Sequence, residues 1–383
     1  MKRVIFVILV LYLFIIHSGV CYAAAKIAIV TNTISMNEEE YLSAEEMVDK
    51  YGADRIVHYL WPYNFMSEQG KTEMIVLLIK IASNPDIKAL IINQAVQGTN
   101  AAVDKLLEIR NDVFIVYINP QEEIQETSKR AHVILQPNHP ELGYKIADQA
   151  GKMGAKTLVH YSFPRHMSSP IFSIKKNNMK QKCDELGIKF VDAMTPDPVG
   201  VGDSGIQKTV LFILEDVPKM VARYGTKTAF FGTSCAMQSP LIIAVLRARA
   251  IFPIPCCPSP FHGFPVALKL ENEYTNTGDA DRMERTSENA KLIIDESRRI
   301  ISMLGASGKL SNWPVPFIMM ATTGATEYAM MVIDGKASPS KPDKRLLEEF
   351  FSDYAGVNIV MTNVFEGVFY PNFFLTLLDF ITY

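Results

Sequence analysis

Nine consecutive residues near the middle of the chain, His160-Tyr161-Ser162-Phe163-Pro164-Arg165-His166-Met167-Ser168, hold two of its seven histidines, an arginine, a tyrosine and two serines. They follow Lys156-Thr157-Leu158-Val159, an apolar run short enough to be a buried strand. A guanidinium here suits a carboxylate, phosphate or carbonyl oxygen, while imidazoles and hydroxyls orient a polar molecule and Tyr161 or Phe163 offers a ring to stack on. A second chemistry starts from Cys235 in Gly232-Thr233-Ser234-Cys235-Ala236-Met237-Gln238. A thiolate at a helix start, with His160 or His166 as base, would serve a racemase or hydrolase. A third gathers His160, His166, His262 and Cys256 or Cys257 around a metal. The His-x5-His spacing on a loop matches no zinc pattern, and adjacent cysteines offer poor geometry, so neither metal nor cofactor is expected. Gly200-Val201-Gly202-Asp203-Ser204-Gly205 has GxGxxG spacing, but it follows a strand of the second lobe without the rest of a dinucleotide fingerprint and reads as a hinge or turn; P-loop, GxSxG and HExxH motifs are absent. Binding without catalysis is the favoured reading, and an exported cysteine enzyme the alternative.

The elements that must position these residues alternate between apolar strands and amphipathic helices. Strands are expected over 26–31, 56–61, 89–92, 113–118 and 131–135, with helices over 38–51, 73–82 and 101–110 between them. The strands are continuously apolar instead of alternating, which marks strands buried on both faces of a parallel sheet. The pattern then restarts: strands at 157–161, 189–193 and 229–231 alternate with helices at 140–153, 175–186, 206–224 and 240–250, and 251–254 closes the set as a last strand. The fold class is therefore α/β, two doubly wound parallel-sheet lobes with a C-terminal elaboration. The lobes span 26–137 and 138–255. Residues 256–383 cross back to the first lobe and add a long helix over 281–303, an apolar strand at 316–320, helices over 326–333 and 343–354, and an aromatic tail read as a strand and a helix packed on the first lobe.

Composition narrows the partners. The 383 residues carry 38 basic and 41 acidic side chains, a net charge of −3, which gives no basic surface for nucleic acid. Lys2-Arg3, the apolar run 4–16 and the small residues before Ala25 read as a secretory signal over 1–25, cleaved after Ala23 or Ala25. Val20 and Ser18 make a poor lipobox before Cys21, so a soluble exported protein is favoured over a lipid-anchored one. In an oxidising compartment Cys183, Cys235, Cys256 and Cys257 admit three pairings, Cys235 with one of the adjacent two being favoured over a strained Cys256–Cys257 ring; buried thiols are the other possibility.

Two such lobes behind an export signal resemble the type I periplasmic binding protein fold over residues 26–265. Several strings resemble an uncharacterised family of bacterial exported proteins with that fold, often lipoproteins. These are Glu38-Glu39-Glu40-Tyr41, Asn64-Phe65-Met66-Ser67-Glu68-Gln69, Asn93-Gln94-Ala95-Val96-Gln97-Gly98-Thr99, the central nonapeptide and the run from Cys256 to Pro265. The resemblance implies a receptor that closes two lobes on a nucleoside, sugar or similar solute, with an ABC permease or a sensor as partner and no nucleic acid.

Ligands of open parallel sheets bind beyond the carboxyl ends of the strands. That rule nominates Asn32, Thr33 and Ser35, then Asn64, Phe65 and Ser67, then Asn93, Gln94 and Asn119 in the first lobe. In the second it nominates His160, Tyr161, Ser162, Arg165 and His166, then Thr195 and Asp197, then Thr233, Ser234, Cys235 and Gln238, and the crossing adds Ser259, Phe261 and His262. Glu38-Glu39-Glu40 reads as ordinary compensation of a helix dipole.

Overall fold

The computed structural model describes residues 25–199, 204–270 and 287–383. The expected export signal up to residue 24, residues 200–203 and the first residues of the expected 281–303 helix lie outside them. Among the described residues no helix is long and apolar enough to cross a membrane.

The first lobe is a seven-stranded sheet built on β1 (Lys26–Thr31), β2 (Ile56–Leu60), β3 (Ile87–Asn93), β4 (Phe114–Ile118) and β5 (Val133–Pro137). Neighbours pair in parallel, in the order β5-β4-β3-β1-β2. Alternate side chains feed two separate cores, which is why both positions of the period are apolar. Ile27, Ile29, Ala89, Ile91 and Val116 face one core together with helix α1 (Glu38–Tyr51). Ala28, Val30, Leu90, Ile92 and Ile115 face the other, against α2 (Glu68–Ala82) and α3 (Thr99–Ile109). A single turn, α4 (Ile124–Thr127), precedes β5.

The chain crosses into α5 (His139–Lys152) and builds the second lobe from β6 (Thr157–Ser162), β7 (Lys189–Met194) and β8 (Thr228–Gly232), all parallel in the order β7-β6-β8. Between them run the short α6 (Pro164–Met167), then α7 (Pro170–Leu186) and α8 (Ser204–Tyr224). A 3-10 turn, Cys235–Met237, and α9 (Gln238–Ala248) follow β8. The strand expected at 251–254 is reduced to isolated bridges, Ala229 to Ile251 and Phe252 to Leu310.

After α10 (Phe264–Leu268) and α11 (Ser287–Met303) the chain returns through β9 (Ser311–Asn312). The run at 316–320 is not the expected strand but the start of α12 (Phe317–Ile333), which packs against α1, β3 and β4. A helix covered on all sides is apolar all round, and that hides its 3.6-residue period. Next comes α13 (Lys344–Ala355), pressed so close that a Cβ on Gly324 would lie 2.6 Å from the Phe351 ring. The tail holds short strands and no helix among the described residues: β10 (Met361–Thr362), the hairpin β11 (Val364–Phe365) and β12 (Val368–Phe369), β13 (Phe373–Thr376) and β14 (Ile381–Thr382). Strand β13 joins the first sheet parallel to β5, and β10 pairs antiparallel on its outer side.

Candidate functional site

The two sheets point their carboxyl ends at one another, and the side chains beyond those ends meet in a narrow cleft. From the first lobe come Asn32, Phe65, Gln94, Asn119 and Gln121, joined by His139 at the start of α5. Gln94 and Asn119 directly follow β3 and β4 with φ of 50° and 49°, left-handed conformations that cost a side-chain-bearing residue energy and cluster where function holds them. Asn32 is fixed by two neighbours: its Nδ2 donates to Glu40 at 2.9 Å and to the Gln94 Oε1 at 3.2 Å. Glu40 is buried, with its carboxylate also accepting from Asn37 Nδ2 at 2.7 Å, and burial raises its pKa well above the carboxylate range. It is a structural member of the cleft wall, more than the dipole compensation expected of it.

The second lobe contributes Arg165, His166, Phe172, Thr233, Ser234 and Cys235. Arg165 sits over the Phe163 ring at 4.9 Å and grips Asp197 through Nε at 2.9 Å and Nη2 at 2.8 Å. That bidentate pair leaves Nη1 for a solute and fixes the fork's plane. His166 is held between Phe163 and Phe172, with ring centroids 4.1 and 4.4 Å away, and its Nδ1 lies 3.0 Å from Thr233 Oγ1. Burial, reinforced by Arg165 and Lys175, depresses its pKa far below the usual value, so the ring is neutral. His139 opens α5, its Nε2 donating to Asn119 Oδ1 at 2.9 Å, and burial depresses it in the same way. The lobes touch directly: Ser169 Oγ donates to the Gln121 carbonyl at 2.7 Å, and Gln97 Nε2 reaches the Arg165 carbonyl at 3.5 Å. The free space between them is about 40 Å³.

Of the residues nominated from the sequence, Asn32, Phe65, Gln94, Asn119, Arg165, His166, Thr233, Ser234 and Cys235 line this cleft. Others are occupied elsewhere. His160 and Tyr161 lie within β6 and point into the helical layers. His160 is stacked between Phe190 and Phe231 with Nδ1 on Asp192 at 2.9 Å, and Tyr161 donates to Asp216 at 2.7 Å. Asn93 turns toward Ser43 and Thr322, and Ser162 toward Thr233. Ser67 caps α2, accepting from Gly70 N–H at 2.9 Å, and the Asn64 carbonyl accepts from Ser67 N–H. Asp197 acts through Arg165, and Thr33 bonds Ser35. Ser259 is buried and braces the crossing by accepting from Phe261 N–H. His139, Gln121 and Phe172 were missed, although Asn138-His139-Pro140 follows a strand just as the nominated residues do.

Neither proposed catalytic base reaches Cys235. Its sulfur instead lies near Asn37 Nδ2 at 3.4 Å and the sulfurs of Cys257 and Cys256, each at 3.8 Å. Cys256 and Cys257 are 3.7 Å apart, and His262 Nε2 lies 3.6 Å from Cys256. Gln238 organises this corner, its Nε2 donating to the Gly232 and Ser234 carbonyls while Oε1 accepts from Cys256 N–H at 3.2 Å. All four described cysteines are free thiols. A broader depression of about 380 Å³ lies on the other side of Cys235, walled by Ile34, Val210, Leu214, Ile243 and Val266 with Ser35 and His262 among its polar lining.

Residues 25–300 match the family model described as "Protein of unknown function (DUF3798)". An "Uncharacterized protein" of Treponema pallidum (strain Nichols) is 34% identical over 171 residues, covering 44% of this chain and 78% of that protein. A Clostridium difficile 630 structure with a proposed role as a transcriptional regulator is similar at TM-score 0.71 and 23% identity, over 94% of this chain and 99% of that one. A periplasmic solute-binding protein of an ABC transporter from Actinobacillus succinogenes 130z, with bound D-allose, is similar at TM-score 0.51 and 13% identity, over 82% of this chain and 93% of that one. At these identities the structures establish the fold, that of the type I periplasmic binding proteins.

Proposed function

We propose that this chain, which belongs to the family described as "Protein of unknown function (DUF3798)", is an exported receptor that closes its two lobes on a small polar solute and performs no chemistry on it. The observation that carries the reading is the convergence of amide, imidazole, guanidinium and ring groups from both lobes on one cleft. Fixed donors and acceptors with an aromatic face suit a sugar, nucleoside or similar molecule. The free space of about 40 Å³ holds a few waters, so a sugar-sized guest requires the lobes to part and close again. The larger depression beside Cys235 is the weaker candidate because its walls are mostly aliphatic. The partner is an ABC permease, as for the transporter component that the fold resembles, or a membrane sensor of the same design.

A thermal-shift screen over sugars, nucleosides, amino acids and flavins, with product analysis of each mixture, tests this. One compound should stabilise the protein strongly and remain unconverted. Arg165→Ala should then weaken its binding at least tenfold, about 1.4 kcal/mol, while the empty protein, which loses the pair with Asp197, still folds and melts only moderately lower. Unaltered affinity in that variant, or turnover that Cys235→Ser abolishes, would refute the reading.

A further inference from the structure

The corner where Cys235, Cys256, Cys257 and His262 meet has the dimensions of a metal site. We propose that these four side chains hold a zinc ion in tetrahedral coordination, forming a closed site between the turn after β8 and the crossing segment. The three sulfurs form a nearly equilateral triangle with sides of 3.8, 3.8 and 3.7 Å. His262 Nε2 stands 3.6 Å from one corner, and all four ligand atoms lie within 4.8 Å of one another. A cation about 2.3 Å from each sulfur and 2.05 Å from the nitrogen, at tetrahedral angles, needs sulfur–sulfur edges of about 3.8 Å and a sulfur–nitrogen edge of about 3.6 Å. The three sulfur–sulfur edges and the edge from Cys256 to His262 agree with these figures. Three thiolates and an imidazole select a soft or borderline d10 cation over magnesium or calcium, and four protein ligands mark a resident ion in place of a catalytic one.

A second observation is independent of those distances. Lys175 of α7 is 1% exposed, and its Nζ has no hydrogen-bond partner among the described residues. It rests over the rings of Phe172 and Phe231 at 5.2 and 5.3 Å, and while burial depresses its pKa, the sulfurs of Cys256, Cys257 and Cys235 lie near enough to oppose that shift. A buried lysine without a bonded partner is costly unless an anionic group lies close by. Zinc with three thiolates and a neutral imidazole carries a single negative charge, which one ammonium cancels. Coordination releases the three thiol protons to solvent. Outside the ligands, Asn37 Nδ2 donates to Cys235 at 3.4 Å from the first lobe, and Gln238 fixes Cys256 through its N–H. Such outer hydrogen bonds orient metal ligands. Glu40 faces the cluster as well, but it is clamped by Asn32 and Asn37.

The site does not depend on the identity of the cleft's solute, so the two readings fail separately. The test uses the full chain purified under reductant without chelator. Elemental analysis should find one zinc per chain that survives dialysis, and cobalt(II) added to metal-free protein should give sulfur-to-metal charge transfer with tetrahedral ligand-field bands. Competition with a chromophoric chelator should show zinc affinity at least tenfold lower in Cys235→Ser, Cys257→Ser and His262→Ala, and unchanged in Cys183→Ser, whose thiol lies elsewhere in the core. Lys175→Met should retain zinc with affinity lowered about tenfold. The wild-type stoichiometry and cobalt spectrum stand even where a variant fails to fold. Three results would overturn the proposal: wild-type protein that takes up no zinc and gives no thiolate band, copper in place of zinc, or a chain lighter by two hydrogens whose reduced form still leaves zinc unbound.

Discussion

Lowering the pH should destabilise this fold through two cleft histidines, and the effect can be worked out in sign and size. His139 and His166 are buried, and desolvation depresses both pKa values well below the ordinary one, with Lys175 adding to each and Arg165 to the second. The unfolded chain binds a proton at each ring near pH 6.5, about the value for free histidine, while the folded chain refuses it. Their contribution is therefore complete above pH 6.5 and is lost as the pH falls below it. Each ring costs up to about 1.4 kcal/mol per pH unit in that range, so the pair costs up to about 2.7 kcal/mol per unit until the folded rings accept protons. Glu40 works in the opposite direction. Its pKa is raised, so the folded chain holds a proton that the unfolded one has released, and stability grows as the pH falls toward 4.5. The total slope mixes these signs, and the informative quantity is the difference between proteins. Urea unfolding of the wild type, His139→Asn, His166→Asn and the double variant at pH 7.5, 6.5 and 5.5 measures it. Whatever each substitution costs at pH 7.5, the variants should lose less on acidification, the single changes recovering about half of the double one's gain. Parallel stability curves for all four proteins would refute the burial argument.

Three further perturbations follow from other contacts. Glu40→Gln removes the opposing titration, so relative to the wild type it should gain about 1.4 kcal/mol per pH unit on going upward from pH 4.5, as far as the folded pKa, read from urea midpoints. Gly70→Ala places a Cβ 2.1 Å from the Asn64 carbonyl oxygen, backbone that cannot rotate away. It should destabilise the first lobe by about 1–3 kcal/mol and displace Phe65 from the cleft, visible in melting and in solute affinity. Ser169→Ala removes the hydrogen bond to Gln121 that joins the closed lobes, worth about 1 kcal/mol, so the closed population should fall about fivefold relative to the open one. Small-angle scattering of the empty protein should then show a larger radius of gyration, and an unchanged radius would count against the bond as a clasp.

Much of the architecture was legible because the parallel strands have no solvent face. Ile27 to Val30 and Leu90 to Ile92 are apolar at every position for that reason, and helices between them declare themselves by period and caps. The same logic misled at 316–320, where the apolar run is helical, and at the tail, where β13 completes the first sheet across more than 200 residues of sequence separation from β5. No local pattern announces a pairing of that range. At the site, the strand-end rule located the cleft but not the strand's limit. Strand β6 extends to Ser162, so His160 and Tyr161 belong to the sheet and are covered by helices, while Arg165 and His166 lie past its end and reach the gap. The adjacent cysteines were expected to offer poor geometry for a metal. Pro255 and Pro258 bracket them in irregular backbone, and their two sulfurs lie 3.7 Å apart.

Helix α7 ties the cleft to the thiol corner. Ser169, Phe172 and Lys175 recur at three-residue spacing and share one face. Ser169 binds the first lobe, Phe172 stacks on His166, and Lys175 extends toward the sulfurs, while Ile171 beside them packs in the first lobe's core. The helix cannot shift against its own lobe without cost, because a Cβ on Gly143 of α5 would lie 2.3 Å from the Lys175 carbonyl oxygen. Opening the cleft must therefore carry Ser169, Phe172 and Lys175 as a unit with the second lobe, and it separates Asn37 from Cys235 in the same motion. Anything that changes the charge or packing around the three sulfurs thus bears on the same interlobe contacts that a solute would close. Coupling of that kind would act equally in both directions, each occupant changing the other's affinity by one shared factor.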